Sequence, residues 1–366
     1  MTGLDRNTLS LGLFGANCSG GLATSTFPDR WDATWENNLA LARMADDAGM
    51  DFMLPLGRWI GYGGETNHNG SNFETLTWAA GILAATRRIM AFGTLHVTLI
   101  NPVFAAKQMV TCHHIGGGRF GLNIVCGWYQ KEFDMLGVDL GAHDRRYDLG
   151  QEWLDIVNRV WTEDEPFDFD GEFFTLRSTL LEPKPFDRRR PMLVSAAMSP
   201  TGRAFALRNA DMLFTVVWDV DELPAQAAEI RGGARAAGRE VGIFTNAYVV
   251  CRPTQEEADD YHHHYAVEHR DTEAVETMVV ERGWDRPGIP EDRRQLFRLR
   301  AAGGNSGFPI VGDPDRVAET MRRLSDGGVT ALALGFPNYL KHFPYFRDEV
   351  LPRLERMGLR TPAARG

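Results

Sequence analysis

The sequence predicts an α/β fold of the closed (β/α)₈ kind, a TIM barrel with inserted segments. Three observations carry that prediction. Short apolar runs alternate with amphipathic helical stretches, the pattern of repeated βα units and a parallel sheet. Eight such runs occur, the number that closes a barrel of this type. Their near-continuous apolar character suits strands covered on both faces. An open doubly wound sheet fits the same periodicity and stands as the alternative. One domain is expected over residues 1–366, with a core at about 10–350, because such barrels run well past 200 residues once insertions are counted.

The first run is LSLGLFG (9–15), and a helical stretch follows at 34–49, with Ala40, Ala42, Met44, Ala45 and Ala48 at its apolar positions. DFMLPL (51–56) is the second run, followed by the helical FETLTWAAGILAATRR. IMAFGTLHV (89–97) and RFGLNIVCG (119–127) are the third and fourth. MLVSAAM (192–198), DMLFTVV (211–217), VGIFTNAYVV (241–250) and TALALGF (330–336) complete the set. Three segments exceed ordinary βα loops. Residues 15–31 are rich in Gly, Ser and Thr. Residues 128–190 hold a long helix at about 146–162, and residues 262–308 run from a histidine cluster to AAGGNSGF. The last two are expected insertions, and long structured segments of this kind carry function or act as lids.

Composition narrows the function. A formal net charge of −10 and a pI near 5.5 exclude a nucleic-acid surface, which needs a basic stripe. No run approaches the roughly 18 apolar residues of a membrane span, and the N-terminus lacks a basic segment leading into an apolar one. A cytoplasmic location without membrane attachment is therefore expected. Cys18, Cys112, Cys126 and Cys251 are far apart and read as buried thiols.

Several motifs are weaker than they look. Gly116, Gly118 and Gly121 satisfy G-x-G-x-x-G, but they precede a strand instead of opening a helix, so they read as a turn and not as a dinucleotide site. His113–His114 and His262–His264 lack the spacing and carboxylates of a metal centre, and no metal is expected. No G-x-S-x-G elbow supports a serine hydrolase.

Polar residues inside apolar runs say more. Asn123 interrupts LNIVCGW, and a buried amide must find partners, either on neighbouring strands or on a ligand at the barrel mouth. Thr94 and His96 lie two apart on the preceding strand and so share one face. Arg145, Arg146 and Tyr147 precede the long helix, where a basic and aromatic cluster can hold an anion. Ser199, with Pro200 behind it, reads as a helix cap whose N-terminus could receive a phosphate.

Taken together, GGGRFGLNIVCGWYQKEF (116–133), HDRRYD (143–148), GYGGE (61–65), FDFDGEFFTL (167–176) and AAKQ (105–108) resemble the luciferase-like flavin-dependent monooxygenases. Within that family the segments look closest to the pyrimidine-monooxygenase branch. The dimethylsulfone-monooxygenase branch is a near second, through SGGLATST (19–26), AAKQ and WTED (161–164). The resemblance implies a two-component enzyme that takes reduced FMN from a separate NAD(P)H:flavin reductase. It would activate O₂ as a flavin peroxide, plausibly at N5, and oxygenate a small molecule. A pyrimidine-like heterocycle or amide is the implied substrate, a small sulfone or sulfonate the alternative, and deazaflavin-dependent hydride transfer a further one. Thr94 and Asn123 match the oxygen pocket. Gly57, Arg58, Asn123, Glu132, Arg146, Tyr147 and Ser199 match flavin-contacting positions, with Arg58 standing where the branch has Lys and SAAMS (195–199) lacking its glycine. A homo-oligomer, dimer or tetramer, is implied too.

Overall fold

What positions the site is how the short apolar runs close on one another. A computed structural model describes residue 4 and residues 6–362 of the chain. Its strands are β1 (Ser10–Phe14), β2 (Phe52–Leu54), β3 (Met90–His96), β4 (Phe120–Val125), β5 (Phe167–Asp170), β6 (Thr175–Thr179), β7 (Met192–Ala196), β8 (Met212–Phe214), β9 (Gly242–Cys251), β10 (Phe308–Gly312) and β11 (Ala331–Gly335). Eight of them close in parallel in the order β1-β2-β3-β4-β7-β8-β9-β11 and back to β1. Each of the eight overlaps a predicted run, and helices surround them, so the fold is the (β/α)₈ barrel and the open sheet is excluded.

Alternation along the strands sorts the apolar side chains into two sets. Leu11, Leu13, Leu95, Leu122 and Ile124 face outward into the core beneath the helices. Phe52, Met90, Phe92, Met192, Val194, Met212 and Phe244 face inward and pack together inside the barrel. The Phe52 ring meets Phe92 at 5.9 Å and Phe244 at 5.1 Å, both edge to face. Room for these rings comes from small residues opposite: a Cβ on Gly12 would lie 2.2 Å from the Phe52 ring, and one on Gly121 would lie 2.3 Å from Phe92. The lower barrel is therefore solid. Polar residues begin one layer higher, since the inward series on β3 runs Met90, Phe92, Thr94, His96.

Three strands, β5, β6 and β10, fall outside the predicted eight. β9 is ten residues long; β8 pairs with its first part (242–244) and β10 continues along the same edge at 247–251. β5 and β6 form a separate antiparallel hairpin from FDFDGEFFTL and the residues after it. The long helix runs from His143 to Thr162, three residues earlier than expected, so Arg146 and Tyr147 lie within its first turns rather than before it. The Arg146 backbone N–H is already bonded to Ala142 O at 3.2 Å, which leaves its side chain as the donor.

Between β9 and β10 the helices Gln255–His263, Thr272–Glu281 and Glu291–Gly304 enclose a small core with Tyr265, Val275, Met278 and Phe297. This cap is tied to the loops at the C-terminal ends of β1 and β2. Ser25 Oγ donates to Tyr265 O at 2.7 Å, and Thr66 donates to the Asp271 carboxylate through its N–H at 2.8 Å and its hydroxyl at 2.7 Å. All four cysteines are free and buried, and among the described residues no helix is long and apolar enough to cross a membrane.

Candidate active site at the barrel mouth

In barrels of this kind chemistry sits where the strands' C-terminal ends meet, and the predicted polar residues converge there. Thr94 and Asn123 are register partners on β3 and β4, and both are buried. The Thr94 hydroxyl lies 2.7 Å from Pro55 O, and Asn123 Nδ2 lies 3.3 Å from Thr94 Oγ1. Two oxygens at 2.7 Å must share a proton, and only Thr94 has one. Its oxygen is therefore left as an acceptor, which fixes the Asn123 amide with its NH₂ toward Thr94. Asn123 Oδ1 is consequently turned away, buried and without a partner. Gly57 allows this packing: a Cβ there would sit 2.9 Å from Thr94 Cγ2.

His96 is one step further up the same face of β3, beside Val125 of β4. Burial, with a smaller contribution from the nearby Arg58 charge, holds its pKa down to about 3, so the ring is neutral at pH 7. No hydrogen bond to it is seen among the described residues.

The wall beyond β2 is built on a buried ion pair. Arg58 Nη2 lies 3.3 Å from Glu132 Oε2, with side-chain exposures of 3% and 0%. Glu132 Oε1 accepts the Trp59 N–H at 2.9 Å, and Arg58 Nη1 donates to Tyr62 Oη at 3.0 Å. Burial raises the Glu132 pKa from its ordinary value, opposed by Arg58 and by the Trp59 and Ile60 N–H groups. Rings enclose the guanidinium, Trp128 at 4.8 Å, Tyr129 at 5.1 Å and Tyr62 at 5.3 Å. From the cap, Arg282 Nη2 reaches the same Tyr62 hydroxyl at 3.3 Å.

The opposite wall follows β7, the next strand round from β4. Ser199 caps the helix Pro200–Asn209, its Oγ accepting the Gly202 N–H at 3.1 Å, as the Ser-Pro pair predicts. Tyr147 lies against this cap, where burial raises its pKa and the neighbouring Ser199 side chain opposes the rise. Gly202 is required there, because a Cβ would lie 2.4 Å from Tyr147 Oη. Arg146 Nη1 donates to Gly127 O at 2.7 Å, while its Nε is buried without a partner. The predicted residues thus divide over four successive strands of the mouth, β2, β3, β4 and β7.

Some expectations find other partners. Gly117 and Gly118 adopt positive φ in the turn before β4, consistent with the turn reading. His113 Nδ1 accepts the Phe186 N–H and His114 Nε2 lies 2.8 Å from Lys184 O, so both hold the segment before β7. Trp31 is buried in the core, whereas Trp59 and Trp128 stand partly exposed at the mouth. Sequence reasoning missed Tyr62 and Arg282 as neighbours of Arg58. Tyr62 lies in GYGGE, a segment that carried only the resemblance, and nothing marked Arg282.

Residues 11–331 match the model of a family described as luciferase-like monooxygenase. The chain belongs to that family. Similar members include an FMNH₂-dependent dimethylsulfone monooxygenase of Pseudomonas putida, 31% identical over 95% of this chain and 96% of that one. The pyrimidine monooxygenase RutA of Enterobacter sp. (strain 638) is 28% identical over 95% of this chain and 96% of its own length. Among solved structures, DmoA from Hyphomicrobium sulfonivorans superposes with a TM-score of 0.86 at 20% identity, covering 99% of this chain and 91% of that one. A long-chain alkane monooxygenase does so at 0.87 and 19%, covering 100% and 94%. These likenesses show the barrel again. The family match makes the protein an enzyme, a monooxygenase of the luciferase-like kind.

Proposed function

We propose that the protein is a two-component FMN-dependent monooxygenase that oxygenates a small molecule. Its cofactor is reduced FMN, delivered by a separate NAD(P)H:flavin reductase, and O₂ is the co-substrate. The observation that carries this reading is the buried, unpaired Asn123 Oδ1 on β4. A buried acceptor left unmatched costs about 1–3 kcal/mol, and a bound N–H group removes that cost. The donor set fits a flavin phosphate as well: a helix N-terminus capped by Ser199, the Tyr147 hydroxyl and the cationic Arg146 side chain stand together.

In this reading Ser199, Tyr147 and Arg146 hold the phosphate, and Gly57, Arg58 and Glu132 shape the wall beside the ring. Thr94 and Asn123 line the place where O₂ meets the cofactor. Bound reduced FMN supplies the two electrons that activate O₂. The protein orients the substrate against it, and the cap over the mouth excludes water. A pyrimidine-like heterocycle or amide is the proposed substrate, and small sulfones or sulfonates are the second class. A dimer or tetramer is the proposed assembly, and the chain is proposed to act in the cytoplasm.

The test is oxygen uptake with chemically reduced FMN and a substrate panel including uracil and dimethylsulfone. Substrate-dependent incorporation of one labelled oxygen atom supports the reading, and the responding substrate selects the class. Tight deazaflavin binding with no oxygenation from reduced FMN would overturn it in favour of hydride transfer.

A further inference from the structure

We propose that Tyr62, Ser306 and Arg282 form an anion subsite at the seam of mouth and cap, and that the substrate is a planar heterocycle bearing a carboxylate. The proposal rests on the oxygenase reading above and adds to it the charge of the molecule oxygenated.

Tyr62 belongs to the loop after β2, Arg282 ends the helix Thr272–Glu281, and Ser306 follows the helix Glu291–Gly304. A guanidinium can only donate. Arg282 Nη2 donates to Tyr62 Oη at 3.3 Å and to Asn305 Oδ1. Its Nη1 donates to Ser306 Oγ at 3.0 Å and to Asn305 O at 3.5 Å. Arg58 Nη1 donates to the same Tyr62 oxygen at 3.0 Å. That phenol already accepts twice, so its own proton must be given away, and no acceptor for it is seen among the described residues. The Ser306 hydroxyl proton and the Arg282 Nε–H stand in the same position. Tyr62 and Ser306 are at most 5% exposed, so water serves them poorly. The seam therefore gathers donors and lacks an acceptor.

Charge points the same way. Glu132 is matched by Arg58 at 3.3 Å and Glu281 by Lys131 at 2.9 Å, while Asp271 is engaged by Thr66 and the Ala274 N–H. Every oxygen that Arg282 touches is neutral, and no carboxylate pairs with it among the described residues. The flavin phosphate does not answer this charge, since it is assigned to the opposite wall. Hydroxyl donors beside a guanidinium edge match the two oxygens of a carboxylate. Flatness follows from the rings. His68, Tyr62, Tyr129 and Trp128 stack in series at 6.2, 5.8 and 5.4 Å, with interplanar angles of 21°, 23° and 21°. The Arg282 guanidinium lies 5.8 Å from the ring of Trp128, which is partly exposed at the mouth. A flat ring laid on Trp128 brings an acid group on its edge to Arg282.

The experiment is calorimetric titration of the full chain with two acid–neutral pairs, orotate against uracil and nicotinate against nicotinamide. In at least one pair the acid is expected to bind about tenfold tighter or more. Arg282→Met should bring that ratio close to one. Arg282→Lys keeps the charge but not the fork, and should keep part of the ratio. If Arg282→Met does not fold, Tyr62→Phe, which removes the phenol donor alone, should lower the ratio severalfold. No acid preference in either pair, or an undiminished ratio in Arg282→Met or Tyr62→Phe, would overturn the subsite. Equal weakening of FMN, riboflavin and the acid in Arg282→Met would overturn it too, by giving the donors to the flavin ring. Failure of the parent protein to bind reduced FMN would overturn the flavin reading, and with it the subsite's place in oxygenation, whatever the acid ratio.

Discussion

Arg58 and Glu132 place full charges inside the mouth, where each is tolerable only because of the other. Removing one partner of a buried pair leaves an uncompensated charge and typically costs about 3–5 kcal/mol. Arg58→Met should therefore lower the unfolding free energy by about that much, while Arg58→Met with Glu132→Gln should recover most of it. Denaturant titration of both variants checks this, and equal losses in the two would contradict the pair's role. Asn123→Ala, by contrast, should leave folding intact and uncouple oxygen uptake from product formation, measured as hydrogen peroxide released per labelled oxygen incorporated. Thr94 and Asn123 were readable in the sequence because each interrupts an apolar strand with a group that needs a partner. Arg282 was not, because the Tyr62 hydroxyl it reaches lies 220 residues away in the chain, a distance no local pattern spans.

At the scale of elements, the helix Pro200–Asn209 carries a prediction of its own. Ser199→Ala removes a cap, a loss of about 1 kcal/mol, and removes the hydroxyl beside Tyr147. FMN affinity should fall several-fold while riboflavin, which lacks the phosphate, binds as before; an equal loss for both would detach Ser199 from the phosphate. The eight barrel strands were legible because burial on both faces makes each an apolar run. β10 was not, since Phe308–Gly312 is fully buried only at alternate positions and gains its place from the unusual length of β9, which outlasts β8 along one edge. The first turn of the helix His143–Thr162 was misplaced because its N-cap, Ala142, makes no side-chain hydrogen bond and so leaves no start signal.

Across the whole molecule, buried histidines set the response to acid. His68, His96 and His113 are each at most 6% exposed, and burial holds their pKa values down to about 3, 3 and 4. Their unfolded value is 6.5. Between pH 6.5 and about 4 the unfolded chain takes up protons that the folded chain refuses, so stability present above pH 6.5 is lost as the pH falls. Each contributes up to about 1.4 kcal/mol per pH unit in that window. The thermal midpoint should drop steadily from pH 7 to pH 5, and a flat profile would contradict the neutral buried state.

The phenylalanine packing of the lower barrel has one more consequence. With Phe52, Phe92 and Phe244 filling the interior, nothing threads the barrel from its lower end, so whatever reaches Thr94 and Asn123 comes from the side of the strands' C-terminal ends. Approach from one side makes depth set the order: whatever sits deepest goes in first and comes out last.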